Sequence, residues 1–326
     1  MSEVTLVDAI NMALARAMAD DERVVVLGED VGVNGGVFRA TAGLQKRFGA
    51  ERVVDTPLAE TLISGLCVGM AAEGLKPVGE IQFMGFIYPC IDQLVNHAAR
   101  LRNRTRGRLS CPMVLRVPCG AGIRAPEHHS ESTEAMLAHI PGLRVVVPSS
   151  PARAYGLLLA AIHDPDPVVF LEPTRLYRSI KEVVNDNGET LPLDTAFTLR
   201  NGKDITIVTW GAMVRETLAA ADILAQDGIS AEVIDLATLK PYDEDTVLAS
   251  VKRTGRCVIV HEAARTGGFG AEVAACLAER GLMSLLAPVE RVTGYDTIVP
   301  LLKLEQHFIP SVERIISAAR RVCAYG

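Results

Sequence analysis

The segment DTPLAET (55–61) places one carboxylate, Glu60, directly after a Thr-Pro turn and at the start of a helix. A helix start exposes unpaired N–H groups and the positive end of the helix dipole, so an acid is stabilised there. An ordinary helix cap is therefore one interpretation. The residues that follow, 63–74, carry almost no charge and are rich in Gly and Ala. Such a helix can be buried and closely approached, which favours a second interpretation, in which Glu60 presents its carboxyl group to a cofactor.

A second candidate is the Gly-rich loop 120–130, which contains His128 and His129 before Ser130. The loop follows a predicted strand, and open parallel sheets place ligands at the carboxyl ends of their strands. Histidine moves protons near neutral pH, so proton transfer competes here with an ordinary surface position. A zinc site would need a third ligand such as His139, but the chain has no HxxxH or HExxH spacing.

The segment EIQFMGF (80–86) combines a predicted buried strand with the polar Gln82 and two aromatic residues. Core packing explains Phe83. Phe86 follows a glycine at the predicted strand terminus, where it can face a cleft and stack on a flat ring. The Gly-rich segments 35–39 and 266–270 match neither a P-loop nor GxGxxG, and we interpret them as turns rather than as phosphate cradles.

Short apolar runs alternate with helical patterns over residues 1–180, which predicts a parallel sheet covered by helices. The predicted strands are 24–27, 78–83, 113–117, 145–147 and 168–171. The predicted helices are 4–19, 60–73, 89–102 and 151–163.

A polar, irregular stretch follows, and we predict an interdomain linker at 181–203. A second alternation then predicts a separate α/β domain over 204–326. Its predicted strands are 205–210, 231–236, 256–261 and 288–293, and its predicted helices are 212–226, 244–252, 270–280 and a terminal helix from about residue 311.

Composition narrows the class of protein. The chain has 326 residues, 49% of them hydrophobic and 22% charged, and a net charge of −6, which argues against a nucleic-acid-binding protein. The one basic run, 100–108, is better explained as a solvated helix end or a contact with an acidic partner. Seven cysteines without a CxxC spacing indicate reduced thiols and a cytoplasmic protein. We expect the first residues to form an amphipathic helix rather than a signal peptide, and no apolar run is long enough for a membrane span, so we expect no membrane contact.

These motifs, taken in order, resemble the beta subunit of the thiamine-diphosphate-dependent 2-oxo acid dehydrogenase (decarboxylating) component. The matching segments are GEDVGVNGGVFRAT (28–41), DTPLAE (55–60), EIQFMGF (80–86), PEHHSES (126–132), DPDPVVFLEPTRLYR (164–178), GKDITIVTWG (202–211) and AEVIDL (231–236). The resemblance covers essentially the whole chain. It implies a pyrimidine-binding domain followed by a transketolase C-terminal-like α/β domain.

The resemblance also implies roles for individual residues. Glu60 matches the glutamate that hydrogen-bonds the aminopyrimidine ring of thiamine diphosphate and so helps to activate the thiazolium carbon. Phe86 matches the aromatic residue that packs on the pyrimidine, and Leu58 and Gln82 are further cofactor-binding candidates. His129 matches the active-site histidine that assists reductive acylation of the lipoyl group. His128 departs from some relatives, which leaves open which imidazole acts.

A metal site is implied in the turn 161–166, whose backbone carbonyls hold a potassium ion in some members of the family. The candidate ligands are Ala161, Ile162, Asp164 and Asp166. Thiamine diphosphate enzymes also hold Mg²⁺ through Gly-Asp-Gly and a downstream Asn-Asn, hard oxygen ligands for a hard cation. This chain contains neither motif. The resemblance therefore implies that an alpha subunit supplies the Mg²⁺ and diphosphate site, in a heterotetramer that is inactive without it.

The implied activity is oxidative decarboxylation of a 2-oxo acid with acylation of the lipoyl groups of a dihydrolipoyl acyltransferase core. EIQFMGF and PEHHSES favour pyruvate, whereas GGF (267–269) and VTGYDT (292–297) resemble branched-chain 2-oxo acid enzymes as well. Two other classes stay open: a non-catalytic assembly subunit, which the intact DTPLAE segment argues against, and an NAD-dependent dehydrogenase. The second lacks the glycine fingerprint after the first strand.

Overall fold

In the computed structural model, which describes residues 3–325, the chain divides into two units. The first runs to Cys119 and resumes over Met136–Leu193, and the second comprises Gly120–Ala135 and the chain from Asp194 onward. The loop that carries both candidate histidines thus groups with the second unit, although the sequence-based boundaries placed it in the first domain. The boundaries at residues 180 and 204 stay a prediction.

The first part of the chain alternates strands and helices as the sequence predicts. Up to residue 193 the elements are β1 (Glu3–Thr5), α1 (Leu6–Asp20), β2 (Val24–Gly28), α2 (Leu44–Phe48), β3 (Val53–Asp55), α3 (Glu60–Ala72), β4 (Lys76–Glu80), α4 (Leu101–Arg104), β5 (Val114–Cys119), α5 (Glu134–Ala138), β6 (Arg144–Val146), α6 (Pro151–His163), β7 (Val168–Pro173) and β8 (Lys181–Val183).

The main sheet of the first unit is parallel, with strands in the order β6-β7-β5-β4-β2-β3. β2, β5 and β7 are buried along their whole length, as expected for strands covered on both faces. Helices α1 and α6 pack against each other, and α3 packs on β4. Thr5 closes a capping box at α1, and Ser150 followed by Pro151 begins α6.

Two elements of the first unit differ from their predictions. The strand predicted at 78–83 ends at Glu80. The next hydrogen bond of the ladder with β5 would need an N–H from Pro118, which has none. The helix predicted at 89–102 is present as an unbroken helical segment over 88–104, in which 3₁₀ and π turns precede α4. The Arg104 guanidinium donates to the Asn96 carbonyl, a bond that competes with the regular helical pattern.

The second unit has its own sheet. After residue 193 the elements are β9 (Phe197–Arg200), β10 (Ile205–Thr209), α7 (Met213–Gln226), β11 (Ala231–Asp235), β12 (Thr238–Lys240), α8 (Glu244–Thr254), β13 (Cys257–Val260), α9 (Gly270–Arg280), β14 (Glu290–Val292), α10 (Glu305–Phe308) and α11 (Val312–Cys323). Five strands pair in the order β14-β13-β10-β11-β9, all parallel except β9. Helices α7 and α11 pack on the buried face of this sheet. The predicted linker 181–203 contains two strands, β8 and β9.

Candidate functional site

Glu60 is the first residue of α3 and is half-buried. The cap position belongs to Ala59, which makes no side-chain capping bond. The backbone carbonyl of Glu60 accepts hydrogen bonds from Ser64 Oγ at 3.0 Å and Cys90 Sγ at 3.2 Å. Those bonds fix the first turn of the helix through the backbone and leave the carboxyl group of Glu60 for another role.

Glu29 lies close enough to Glu60 to feel its charge, and the sequence analysis did not single it out. It directly follows β2 and is buried. Burial and the neighbouring carboxylate of Glu60 raise the pKa of Glu29, and its Oε1 has no hydrogen-bond partner among residues 3–325. A buried polar atom of this kind calls for a ligand or another partner. The sequence signal was an acid at the carboxyl end of a buried strand.

The turns after β4 lie against the start of α3, because Thr61 Oγ1 donates to the Pro89 carbonyl at 3.0 Å. This contact brings Phe86, at the end of the turn Met84–Phe86, to the same edge of the first unit as Glu60. Gln82 is half-buried, whereas Leu58 is 81% exposed. A side chain that apolar and that exposed is available to a cofactor or to a partner chain.

An aromatic series supports Phe86 from behind. Phe86 meets Phe83 edge-on at 6.1 Å between ring centroids, Phe83 meets Phe38 at 5.3 Å, and Phe38 lies against Tyr177 at 5.0 Å. Edge-to-face contacts at these distances are favourable and fix ring orientation. Phe83 is therefore a packing residue, as the sequence predicts, and Phe86 is half-buried.

The series ends on a buried ionic network that the sequence analysis missed. Arg116 donates to Glu172 at 2.7 and 2.9 Å and to Glu80 at 2.7 Å, and the Tyr177 hydroxyl donates to Glu172 at 2.5 Å. Burial opposes the charge of Arg116, but the two carboxylates outweigh it and raise its pKa. Burial also raises the pKa of Glu80, which accepts one hydrogen bond from the guanidinium where Glu172 accepts two. The sequence signal was a charged residue inside each of three apolar strands.

In the second unit, Glu127–His129 form a short 3₁₀ turn. His128 is exposed, with Nδ1 3.3 Å from the Glu127 carboxylate, and His129 is half-buried. Ser130 is buried and its hydroxyl donates to the Pro126 carbonyl at 3.2 Å. The turn thus presents two imidazoles from a locally braced loop. Across the described residues, no group of three or more His, Cys, Asp or Glu side chains is placed to hold a metal ion.

The same loop ends at a polar cluster that the sequence analysis also missed. Trp210 Nε1 donates to Glu134 at 3.2 Å, and burial raises the pKa of Glu134 to about 7. The His261 ring stacks on Trp210 at 5.2 Å, and burial lowers the pKa of His261 to about 4, so this imidazole is neutral near pH 7. The available signal was the one tryptophan of the chain, placed at the end of the strand-like run ITIVTW.

The turn predicted to bind potassium is tied down by arginines. The Asp164 carboxylate pairs with Arg144 at 2.9 Å, and the Asp166 carboxylate pairs with Arg102 at 2.7 Å. The Asp164 N–H donates to the carbonyls of residues 160 and 161 at 3.0 and 3.3 Å. Since the two carboxylates already have cationic partners, a cation here would rely on backbone oxygens, including that of Ile162. Arg102 also shows that part of the basic run 100–108 serves an internal contact.

The outer face of α3 is open, although the sequence suggested a helix that can be buried. Leu62 and Leu66 are 41% and 39% exposed. Together with Gly65, Gly69 and Met70 they line an apolar groove of about 940 Å³. Apolar surface of this kind marks a protein interface or a ligand groove.

None of the helices formed by residues 3–325 has the length and apolar character needed to cross a membrane. The seven cysteines are all free thiols, six of them buried.

Comparisons with known proteins agree with this architecture. Residues 2–180 match the family model "Transketolase, pyrimidine binding domain", and residues 194–315 match "Transketolase, C-terminal domain". The chain is 51% identical to the Pyruvate dehydrogenase E1 component subunit beta of Acholeplasma laidlawii, over 99% of this chain and 98% of that protein. It is 48% identical to the protein of the same name from Bacillus subtilis (strain 168), over the full length of both.

Among solved structures, a "Split gene transketolase, inactive beta4 tetramer" superposes with a TM-score of 0.83 and covers 99% of both chains. At 22% identity, this likeness concerns the fold alone. The fold class predicted from the sequence, a parallel-sheet pyrimidine-binding domain followed by a transketolase C-terminal-like domain, is confirmed.

Proposed function

Because the chain belongs to the family of pyruvate dehydrogenase E1 beta subunits, we propose that it is the beta subunit of a thiamine-diphosphate-dependent pyruvate dehydrogenase component. That component decarboxylates pyruvate oxidatively and acylates the lipoyl groups of a dihydrolipoyl acyltransferase core. The observation that carries the proposal is identity of about half the residues along the full length of such subunits.

The edge of the first unit around Glu60 fits the aminopyrimidine part of the cofactor. Glu60 would hydrogen-bond the ring, Phe86 would pack on it, and Leu58 and Gln82 would line the site. The buried Oε1 of Glu29 supports this fit, because it lacks a hydrogen-bond partner in the described chain. When bound, thiamine diphosphate supplies the nucleophilic carbon and the electron sink that decarboxylation of a 2-oxo acid requires.

In this proposal the residues of this chain position the aminopyrimidine ring. Glu60 is held at the start of α3 by backbone bonds rather than by its carboxyl group, so that group can keep one position toward the ring. Burial and the neighbouring charge of Glu60 raise the pKa of Glu29, which eases the repulsion between the two acids. The aromatic series behind Phe86 stiffens the opposite wall.

The diphosphate end needs a second chain. The sequence has no Gly-Asp-Gly and no Asn-Asn, so we assign the Mg²⁺ and diphosphate site to an alpha subunit in a heterotetramer. The apolar groove on α3 supports this assignment, because it lies along the same helix that carries Glu60 at its first position. Gly65 and Gly69 carry no side chain, which lets a partner backbone approach closely. We therefore place the alpha subunit on this face.

The histidine loop serves the second half of the reaction in this proposal. His129 would move a proton while the acyl group passes to the lipoyl sulfur, a task that suits an imidazole near neutral pH. His128 stays the alternative. It is the more exposed of the two, and Glu127 lies beside its Nδ1.

Two further assignments belong to the same proposal. A potassium ion at 161–166 would be held mainly by backbone carbonyls of Ala161 and Ile162, because Asp164 and Asp166 are paired with arginines. We also propose a cytoplasmic location, which the seven free cysteines support.

The test is ferricyanide-coupled 2-oxo acid decarboxylation with thiamine diphosphate and Mg²⁺. The chain is assayed alone and after co-expression with an alpha subunit that carries Gly-Asp-Gly, with pyruvate and 3-methyl-2-oxobutanoate as substrates. We expect activity only in the pair, faster with pyruvate. Glu60→Ala should lower it about a hundredfold or more, whereas Glu51→Ala, an exposed acid nine residues earlier in the chain, should not.

Each other outcome has a distinct meaning. Turnover by the chain alone would contradict the divided site. Preference for 3-methyl-2-oxobutanoate would reassign the substrate to the branched-chain class, and a folded, inactive pair would support the assembly-subunit alternative.

A further inference from the structure

The loop that carries the candidate histidines is hydrogen-bonded to two buried carboxylates of the second unit. The Gly122 N–H donates to Glu305 Oε1 at 2.7 Å, and the Arg124 N–H reaches the same carboxylate at 3.2 and 3.3 Å. The Ala121 N–H donates to Glu262. Glu305 is 2% exposed and Glu262 is 7% exposed, so the acceptor side of these bonds is shielded from water, and hydrogen bonds to carboxylates are stronger than those between neutral groups.

The backbone of the loop is shaped for these acceptors. Gly120, Gly122 and Arg124 have φ of +87°, +101° and +60°, so every second residue is left-handed. This alternation turns successive N–H groups to one side and forms a concave anion-binding nest. A left-handed non-Gly residue such as Arg124 is strained, and the bonds to Glu305 offset that strain. The anion that occupies the nest is a side chain of the protein itself.

Both carboxylates come from firmly packed parts of the second unit. His261 and then Glu262 follow the end of β13. The backbone carbonyl of Glu262 lies so close to Gly294 that a Cβ added to Gly294 would be 2.3 Å from it. Glu305 begins α10, whose Phe308 also packs on Gly294. Gly294 thus links the two acids, because it contacts the backbone of Glu262 on one side and the ring of Phe308, in the helix of Glu305, on the other. Residues 120–124 are held in place in turn, because their N–H groups bond to these two acids.

The histidine turn follows directly. The Gly120 N–H donates to the Glu131 carbonyl at 2.9 Å, which closes the loop at its base, and the His129 N–H donates to the Pro126 carbonyl at 2.9 Å. Residues 120–124 form one limb of this closed loop, and His128 and His129 lie on the other. Fixing the first limb to Glu262 and Glu305 restricts where the imidazoles can be.

We propose that Glu262 and Glu305 are positioning residues that hold the 120–131 loop, and with it His128 and His129, in place for acyl transfer to the lipoyl group. The proposal rests on the proposed function. It adds a dependence of the second half-reaction on two acids far along the chain from the histidines. Neither acid acts as a proton donor or acceptor in the reaction.

The test uses the alpha–beta assembly and measures the two half-reactions separately. Ferricyanide-coupled decarboxylation needs no lipoyl group, whereas acylation of a free lipoyl domain needs the complete second step. We expect Glu305→Ala to lower kcat for lipoyl acylation about tenfold more than it lowers decarboxylation, as loss of charge-assisted hydrogen bonds predicts. Glu305→Gln keeps an acceptor oxygen and should recover most of that loss. Glu262→Ala and Glu262→Gln should follow the same order.

Glu279→Ala is the matched control, an exposed acid on α9 in the same unit, and should change neither half-reaction. Equal losses in both half-reactions, no loss in either, or a Gln variant as impaired as the Ala variant would each overturn the proposal. His129→Ala should reproduce the selective loss of acylation.

Hydrogen exchange of the peptide spanning 119–131 separates this proposal from the proposed function. In the same assembly, Glu305→Ala should speed exchange at the amides of residues 122 and 124 about tenfold or more relative to the unmodified chain, and Glu305→Gln should restore protection. This readout does not depend on turnover. An assembly that exchanges as expected but shows no 2-oxo acid activity would overturn only the function, and unchanged exchange would overturn the positioning role.

Discussion

Two clusters of buried carboxylates, one in each unit, are held in different ways. In the first, Glu80 and Glu172 share the guanidinium of Arg116. In the second, Glu134 and Glu305 accept N–H groups of an indole and of a loop backbone, and the structure records no ion pair with either across residues 3–325. A carboxylate paired with a cation is tied to the strand that carries that cation, whereas one matched only by N–H donors depends on the few donors around it. The first arrangement locks strands together, and the second holds a loop.

The largest effect should come from removing the cation. Arg116→Met keeps the length and apolar stem of the side chain but leaves Glu80 and Glu172 buried without a counter-charge. Breaking a buried pair in this way costs about 3–5 kcal/mol, a large share of the roughly 5–15 kcal/mol by which a domain is stable. Urea unfolding followed by circular dichroism should show a much lower midpoint.

A surface pair provides the comparison for that change. Arg320→Met removes an ion pair with Asp227 in which both side chains are partly exposed, and such pairs contribute about 0–1 kcal/mol. Similar midpoints for the two variants would show that the buried network does not stabilise the first unit.

The second prediction concerns Glu134, which has no cation to hold its charge. Its folded pKa of about 7 lies above the ordinary 4.5, so between these values the folded state binds more protons than the unfolded state. The contribution of Glu134 to the free energy of unfolding therefore falls as pH rises from about 4.5 to about 7 and stays constant above pH 7. Glu134→Gln cannot titrate and keeps an acceptor for Trp210. It should gain on the order of 3 kcal/mol over the unmodified chain at pH 8, and little at pH 4.5.

Unfolding curves at both pH values measure this difference. Glu279→Gln, an exposed change in the same unit, should leave the pH dependence unaltered. A Glu134→Gln variant that is less stable at pH 8, or equally shifted at both pH values, would show that the charged form of Glu134 is not what burial penalises.

The sequence was sufficient for elements whose signals are local. Helices 151–163 and 270–280 begin and end where predicted, because Pro151 and Gly270 mark their starts and apolar periodicity continues through both. Gln82 and Phe86 were placed on or at the end of a strand, since nothing near them in sequence reveals that Pro118 ends the ladder. That constraint lies on a neighbouring strand.

The candidate site divides in the same way. Glu60 and the two histidines lie in segments with visible helix-start and loop signals. Glu29, Arg116 and Glu305 carry no local signal of their own, and each gains its importance from burial or from a partner 31 to 183 residues away. Buried polar partners separated this far in sequence follow from topology, which periodicity alone does not determine.

The smallest effect should come from a methyl group in the loop. Gly120→Ala introduces a side chain at φ +87° and places its Cβ 3.0 Å from Glu262 Oε1. Gly228→Ala introduces the same strain at φ +81° with nothing within 4 Å. Both should lose about 1 kcal/mol through backbone strain, so unfolding midpoints should fall alike. Only Gly120→Ala should also speed hydrogen exchange at residues 121–124, because the added methyl group displaces the Glu262 carboxylate. Equal exchange in the two variants would mean that the loop tolerates movement of Glu262, and the contrast between a cation-locked unit and an N–H-held loop would then rest on Glu305 and Glu134.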